Sequence, residues 1–233
     1  MTEQIELTVV LPAYLEEENL RLLLPRLRAT LDALALPWEV IVVDTMLPMD
    51  KTADVCRANR CEYASRFGGN NFGDAVRTGI KQSRGRWILF MDADGSHPPE
   101  FIADLWRGRE EATVVIASRY TAGGTTENSV ALILMSRFLN LSYSLILGLH
   151  CRDVSNSFKL YPGSALRRLT LICDHFDIVE EILYKLVKGK DRLSIKEIPF
   201  AFKKRMFGDT KRNLMLFVLS YLFTIVRLRS MRP

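Results

Sequence analysis

Asp92-Ala93-Asp94-Gly95-Ser96-His97 sets two carboxylates one residue apart, directly after the apolar run 87–91 (WILFM) and just before Pro98-Pro99-Glu100. Carboxylates at a strand end can turn toward one hard cation. Their oxygens suit Mg²⁺ or Mn²⁺, and such a cation bridges phosphate oxygens. A lone Asp-x-Asp also occurs in turns and helix caps; the strand before it and the Pro-Pro-Glu after it favour the metal reading here. His97 reads as a packed helix-entry residue before it reads as a ligand or base. Arg119, Arg137, Lys159, Arg205 and Lys211 are scattered along the chain. Guanidinium groups match phosphate oxygens two at a time, so a fold that gathers these residues clamps phosphate. Glu16-Glu17-Glu18 suits the first turn of a helix. There is no GxxxxGK[ST] loop, no GxGxxG after the first strand, and no arguable Ser-His-Asp or Cys-His set.

The elements that must hold these residues follow from apolar patterning. Residues 7–11 (LTVVL), 38–43 (WEVIVV), 87–91 and 114–117 read as buried strands. Leucines at helical spacing over 19–36 predict an amphipathic helix stopped by Pro37. Further helices are expected at 52–59, at 72–83 after the Gly68-Gly69-Asn70-Asn71 turn, and after Pro98-Pro99. Strands alternating with helices give an α/β fold, a mostly parallel sheet with helices on both faces. Ligands of such sheets bind beyond the carboxyl ends of the strands, which is where Asp44 and Asp92 fall.

Past residue 125 the pattern changes. Residues 129–149 are mostly apolar, interrupted by Arg137 and Asn140, and 213–226 (NLMLFVLSYLFTIV) are apolar almost all round. The second stretch is short of the about 20 residues that a bilayer span takes. Membrane-surface contact, packing in the core or a homodimer, and a short span are all open to it. The chain is therefore divided into a domain over 1–211 and an apolar, basic C-terminal helix over 212–233.

The 233 residues, 48% hydrophobic and 25% charged, exclude disordered and low-complexity classes. The four cysteines form no CxxC pair and suit reduced thiols. No signal peptide is visible at the N-terminus, which leads to an expectation of a cytoplasmic protein. From Lys203 onward there are eight basic residues and one acid, a local charge of +7 against −2 for the rest. Such a segment looks for anions. Its aromatic and basic residues do not alternate as a base-stacking groove would require, so nucleic acid is not expected.

Taken together, the segments resemble the family-two inverting glycosyltransferases with a GT-A fold, and among them the polyprenol-phosphate (dolichol-phosphate) mannose synthase-like group. Residues 9–19 (VVLPAYLEEEN) stand for the family's VVIPTYNEEEN. Residues 40–44 (VIVVD) followed by Pro48, Asp50 and Thr52 stand for VIVVDDGSPDGT. Arg66 with 73–79 (GDAVRTG) stands for the arginine and GAAVRTG. Residues 90–100 (FMDADGSHPPE) are nearly the family's own wording, and 202–211 (FKKRMFGDTK) stand for FxDRxxGESK. Ser118-Arg119, Ser136-Arg137, Arg152-Asp153, residues 157–161 (SFKLY) and 181–184 (EILY) follow in the family's order.

The resemblance implies that Pro12, Tyr14, Glu16 and Asp44 hold the nucleoside of a nucleotide-sugar donor. It implies that Asp92 and Asp94 hold Mg²⁺ or Mn²⁺ on the donor diphosphate. Arg119, Arg137, Arg205 and Lys211, joined by Lys159, would bind donor and acceptor phosphates. Asp94, Arg119, Arg137 and Asp153 are the implied catalytic set. The donor would be GDP-mannose and the acceptor a polyprenyl phosphate, with the enzyme peripheral at the cytoplasmic face of a membrane. Thr45 replaces the family's second Asp and Leu15 its Asn, so UDP-glucose or another donor, onto a lipid phosphate or a glycan hydroxyl, stays open. A hydroxyl acceptor would need a base, for which Asp153 or Glu181 are the candidates. A catalytically weak membrane-docking subunit is the alternative from another class, and the retained Asp-x-Asp argues against it.

Overall fold

A computed structural model describes residues 4–189, 192–208 and 214–230. Its first half alternates strand and helix as the patterning requires: β1 (Leu7–Pro12), α1 (Glu17–Ala33), β2 (Trp38–Asp44), α2 (Thr52–Ala58), β3 (Glu62–Ser65), α3 (Phe72–Gln82) and β4 (Trp87–Phe90). A short 3₁₀ turn at Pro99–Phe101 leads into α4 (Ile102–Gly108), then β5 (Val114–Ser118) and β6 (Thr125–Thr126). The second half holds α5 (Val130–Leu147), β7 (Lys159–Pro162), α6 (Gly163–Arg167), α7 (Ile178–Lys188), β8 (Ile195–Pro199), β9 (Ala201–Phe202) and α8 (Leu214–Ser230).

Seven strands form one sheet in the order β3-β2-β1-β4-β7-β5-β8. Only β7 runs against its neighbours; the other pairings are parallel. The sheet is buried on both sides, which is why its central strands read as continuous apolar runs. Alternate residues feed two cores. Val10, Ile41, Ile88, Ile116 and Tyr161 face α3, α5, α7 and α8. Leu7, Val9, Val40, Leu89 and Leu160 face α1 and α4, where Leu20, Leu23, Leu24, Leu27 and Leu31 supply the predicted leucine stripe. The chain leaves β1 for β2 and β3 on one side and returns to β4 on the other. The carboxyl ends of β1 and β4 therefore open a crevice at the point where the strand order reverses.

Three strands of the large sheet escape the sequence pattern, as do the two-residue strands β6 and β9. β3 is a four-residue edge strand, β7 starts at a lysine, and β8 is an edge strand interrupted by Lys196 and Glu197. None carries the apolar run that marks a central parallel strand.

The C-terminal helix packs on the elements that precede it. Tyr221, Thr224, Ile225 and Leu228 of α8 are buried, and the three apolar ones belong to the same core cluster as α5 and α7. Tyr143 Oη donates to the Tyr221 carbonyl at 2.9 Å, and Thr224 Oγ1 donates to Asp177 Oδ2 at 2.6 Å. From Tyr221 onward the helix is part of the domain. The long apolar helix α5 instead has two apolar faces. Leu139, Tyr143 and Leu147 pack inward, whereas Val130, Leu134, Phe138, Leu141 and Leu145 form an exposed stripe on the opposite side. By length and composition alone α5 is able to cross a membrane.

The seating of α3 on β1 depends on one glycine. A Cβ at Gly79 would lie inside contact distance of the Val10 side chain. Val10 is fully buried and β-branched, so it has little freedom to move aside. Gly79→Ala should destabilise the fold by about 1–3 kcal/mol, the cost of overpacking. At about 2–4 °C per kcal/mol for a chain of this size, a thermal melt resolves the change. A variant melting with the parent protein would show that β1 and α3 are not in this register.

Candidate active site

Asp92 and Asp94 lie in the loop that leaves the carboxyl end of β4, and both are partly exposed. Ser157 Oγ donates to Asp92 Oδ1 at 2.8 Å, and the Ser96 amide donates to Asp94 Oδ1 at 3.0 Å. Each carboxylate is thus fixed by one oxygen. The loop takes its shape from His97, which is fully buried and stacked on Phe158 at 4.7 Å between ring centres. The Asp92 amide donates to His97 Nδ1 at 3.0 Å. Nε2 then carries the proton and donates to Asn156 Oδ1 at 3.2 Å. Burial holds the imidazole pKa below its ordinary value, and the ring stays neutral. His97 is the packing residue that the sequence reading preferred. Two hard carboxylates, each with one oxygen anchored, fit a divalent cation whose other ligands come from a diphosphate and water.

Across the crevice, Pro12 ends β1, followed by Tyr14 and by Leu15 in left-handed backbone (φ 55°). Glu16 is nearly buried. Asn19 Nδ2 donates to its Oε2 at 2.5 Å, and Arg205 Nη2 donates to Oε1 at 3.0 Å. The Phe207 amide donates to Asn19 Oδ1 at 3.0 Å, and the Met206 amide to the Asp94 carbonyl at 2.9 Å. The segment 203–207 is therefore strapped across the mouth, joining the start of α1 to the Asp94 loop. Arg205, Glu16 and Asp94 are brought together; Lys211 lies outside the described residues.

Asp44 ends β2 but is only 1% exposed. It accepts from the Thr45 amide at 2.8 Å and from Tyr63 Oη at 3.2 Å. Burial raises its pKa above the ordinary carboxylate value, against the pull of those donors. Arg66, also buried, donates to the carbonyls of Ala13 and Asn70 and so ties β1 to the loop before α3. Neither Ser157 nor Tyr63 stood out in the sequence. Ser157 was visible only as part of the SFKLY segment.

The remaining charged candidates are placed as follows by the fold. Arg119 and Asp153 saturate each other: Nε donates to Oδ2 at 2.8 Å, Nη2 to Oδ1 at 2.7 Å, and the Arg119 amide to Oδ2 at 2.8 Å. Burial alone would lower the Arg119 pKa; the Asp153 charge and hydrogen bonds overcome it and hold it above the ordinary value. Asp153 is fully buried, so it is not placed as a base. Glu181, the other base considered, is also buried and accepts from the amides of Ile172 and Cys173. Lys159 is fully buried under the sheet, where Nζ donates to the Val154 carbonyl at 2.7 Å, and it does not reach the crevice. Its position at the start of β7 turns it to the face shared with Tyr161. Arg137 is exposed on α5 with its guanidinium 5.5 Å from the Tyr120 ring centre. Among the described residues no group of three or more His, Cys, Asp or Glu side chains forms a metal site, so Asp92 and Asp94 stand as a pair.

A mostly parallel sheet with its crevice between β1 and β4, one antiparallel strand beyond, and a carboxylate pair at the end of β4 define an α/β protein whose ligands would bind at the strand carboxyl ends. The family model for glycosyl transferase family 2 matches residues 8–170, and the chain belongs to that family. It is 30% identical over 220 residues to the dolichol-phosphate mannosyltransferase of Pyrococcus furiosus, with 89% of this chain and 59% of that protein covered. It is also 30% identical over 221 residues to the undecaprenyl-phosphate mannosyltransferase of Micrococcus luteus, covering 88% of this chain and 86% of that protein. The chain thus spans less than two thirds of the archaeal relative. Glucosyl-3-phosphoglycerate synthase from Mycobacterium tuberculosis, solved with Mn²⁺ and UDP, shares the fold with a TM-score of 0.74 at 17% identity, over 98% of this chain and 81% of that one. Mannosyl-3-phosphoglycerate synthase from Rubrobacter xylanophilus does so with a TM-score of 0.73 at 17% identity, over 96% and 72%. The expected GT-A fold is thereby established.

Lys159 and Glu180 are both fully buried ionisable groups, and Glu180 carries a testable pH signature. Burial lowers the Lys159 pKa to about 8, and burial raises the carboxyl of Glu180 to about 8. A carboxyl whose folded pKa is raised stabilises fully below its unfolded pKa, near 4.5, and loses that contribution as pH climbs toward 8. Lys159 adds pH dependence only above about 8. Thermal stability should therefore fall as pH rises from 5 to 8, and Glu180→Gln should flatten that slope. A Glu180→Gln melt with the parent's slope would mean that the carboxyl is ionised throughout.

Proposed function

We propose that this chain moves a hexose, mannose in the first instance from GDP-mannose, onto a polyprenyl phosphate with inversion at the anomeric carbon. The observation that carries the acceptor class is the state of the candidate bases. Asp153 is spent on Arg119, Glu181 on two backbone amides, and His97 is a neutral core residue. A sugar hydroxyl must lose a proton as it attacks and needs a base within reach. A phosphate monoester is already anionic near neutral pH and needs none. The names of the two mannosyltransferase relatives support the same acceptor.

In this reading the acceptor oxygen attacks the anomeric carbon as the bond to the nucleoside diphosphate breaks on the opposite face. Negative charge builds on the departing diphosphate. Asp92 and Asp94 would hold Mg²⁺ or Mn²⁺, which neutralises that charge when bound. Arg205, released from Glu16, is assigned to the phosphates, and Lys211 is assigned with it from the sequence alone. Pro12, Tyr14 and Glu16 border the donor. Asp44 is assigned to the nucleoside side. Arg137 is assigned to the acceptor side, and Arg119 acts there by holding the Asp153 loop in place.

Because Thr45 and Leu15 alter the donor side, GDP-mannose and UDP-glucose are to be compared directly. Radiolabelled donors with a short-chain polyprenyl phosphate should give a lipid-linked product that depends on divalent metal. No product from either donor would favour a binding subunit without catalysis. Asp94→Asn keeps the shape of the side chain and removes its charge. Turnover should fall by about 10²-fold or more, a barrier rise of roughly 3 kcal/mol. Full activity in excess chelator, or in the variant, would overturn the metal assignment.

An acceptor carried in a bilayer requires the enzyme to work at its surface. The exposed stripe Val130, Leu134, Phe138, Leu141 and Leu145 on α5 and the exposed Phe223 and Val226 on α8 support a docking face. Neither helix contains an acidic residue, while Arg137, Arg227 and Arg229 add positive charge. Each cation near an anionic leaflet contributes about 1 kcal/mol. Flotation with anionic liposomes should be lost on Leu134→Ser with Phe138→Ser and should weaken with salt, since surface electrostatics are screened. Flotation equal to the parent's would remove α5 from the docking face. A sedimentation shift to twice the mass in the parent alone would assign the face to a second copy.

A further inference from the structure

A second cluster of cations lies far from the crevice. Arg77 and Lys81 of α3, Arg167 of α6, and the apolar side chains of Ile80, Leu169 and Leu171 line a cleft of about 330 Å³. Arg167 donates to the Ser83 and Gly85 carbonyls, each at 3.2 Å. Those residues precede β4, whereas Asp92 follows it. Seven residues of extended chain separate Gly85 from Asp92, about 23 Å at 3.3 Å per residue. The Arg167 side of the cleft thus lies toward the opposite end of the sheet from the carboxylate pair.

Its charges are unequally compensated. Arg77 is paired with Asp74 and Asp174, at 2.7 and 2.8 Å. Arg167 is held only by neutral oxygens, those of Ser83 and Gly85. Lys81 lies over the Phe67 ring, 5.3 Å from its centre. Among the described residues neither Lys81 nor Arg167 has a carboxylate within salt-bridge distance. Two cations therefore border a floor of one isoleucine and two leucines, and no acidic side chain lines the cleft.

We propose that this cleft is a binding site for a small amphiphilic anion, a phosphate monoester carrying a short hydrocarbon group. The guanidinium of Arg167 and the ammonium of Lys81 would take the phosphate oxygens, a charge-assisted contact that guanidinium makes with two oxygens at once. Ile80, Leu169 and Leu171 would cover the hydrocarbon. The volume is at the small end of ligand pockets, which fits a single small molecule and not a macromolecular surface. The inference does not rest on the reading of the crevice. Arg77 ties the cleft to the N-terminal cap of α3: its partner Asp74 also accepts from the Asn71 amide at 3.0 Å. An anion drawing Arg77 toward the cleft would loosen that cap.

The test is methyl NMR on the full chain, with hexyl phosphate, inorganic phosphate and hexanol as separate probes. The Ile80 methyl reports the cleft. The Ile182 methyl, in the apolar pocket beside Asp92, reports the crevice. Hexyl phosphate should shift Ile80 at submillimolar concentration, with phosphate and hexanol each at least tenfold weaker. Lys81→Ala combined with Arg167→Ala should weaken the Ile80 response at least tenfold and leave any Ile182 response unchanged. Both residues are exposed, and an unaltered methyl spectrum of the apo variant certifies its fold. An unmoved Ile80 overturns the proposal, as does an equal response in the double variant or equal binding of inorganic phosphate. A further arm uses vesicles containing phosphatidic acid. Competition with hexyl phosphate assigns the phosphate to a lipid headgroup, and lack of competition assigns it to a soluble ester; both support the site.

Discussion

The buried ion pair between Arg119 and Asp153 is the contact on which the arrangement of the catalytic end depends. Arg119 directly follows β5, and Asp153 sits in the loop that leads to β7. Their paired hydrogen bonds, with the Arg119 amide added, fix that loop against the sheet. Six residues later the chain enters β7, and on the way Ser157 reaches Asp92. Asn140 of α5 joins the same web through Ser155, whose hydroxyl also accepts from Arg119. Removing one partner would leave a buried charge uncompensated, a loss of about 3–5 kcal/mol. The pair thus positions carboxylates that it does not touch.

The second constraint is the two-faced burial of the sheet. Parallel strands covered on both sides leave no polar surface except at their ends. The acidic groups of the crevice therefore sit at or just past a strand's carboxyl end: Glu16 after β1, Asp44 at the end of β2, Asp92 and Asp94 after β4. The strap over 203–207 closes this end from above. It uses backbone hydrogen bonds to the Asp94 loop and the side chains of Asn19 and Glu16. Arg205 is held by a carboxylate of the donor side, so an incoming phosphate must compete with Glu16 for the same guanidinium.

The helices α5 and α8 link this chemistry to the surroundings. They are apolar on faces that the domain does not cover, and they carry positive charge without a compensating acid. α5 is also hydrogen-bonded to the Asp153 loop.

How much of this was written in the sequence differs by element. The runs at β1, β2, β4 and β5 and the leucine stripe of α1 were legible because burial imposes unbroken apolar strands and helical periodicity. The positions of Asp92 and Asp94 followed from those runs, and the family resemblance named the metal and the transfer. The strands β3, β7 and β8 were not legible, since short edge or antiparallel strands carry too few apolar residues. The fates of Asp153, Arg119 and Lys159 were likewise hidden. A sequence gives a charged residue's type and order, but whether it faces a crevice, a partner or the core depends on strand register and on what packs against it. Lys159 shows this most simply. Alternation along β7 turns its ammonium to the buried face, while its neighbour Phe158 packs on the other side. The same holds for α8, whose all-round apolar composition suits a tail, a membrane or a core. Only the packing of Tyr221, Thr224 and Ile225 against α5 and α7 decided that one face belongs to the domain.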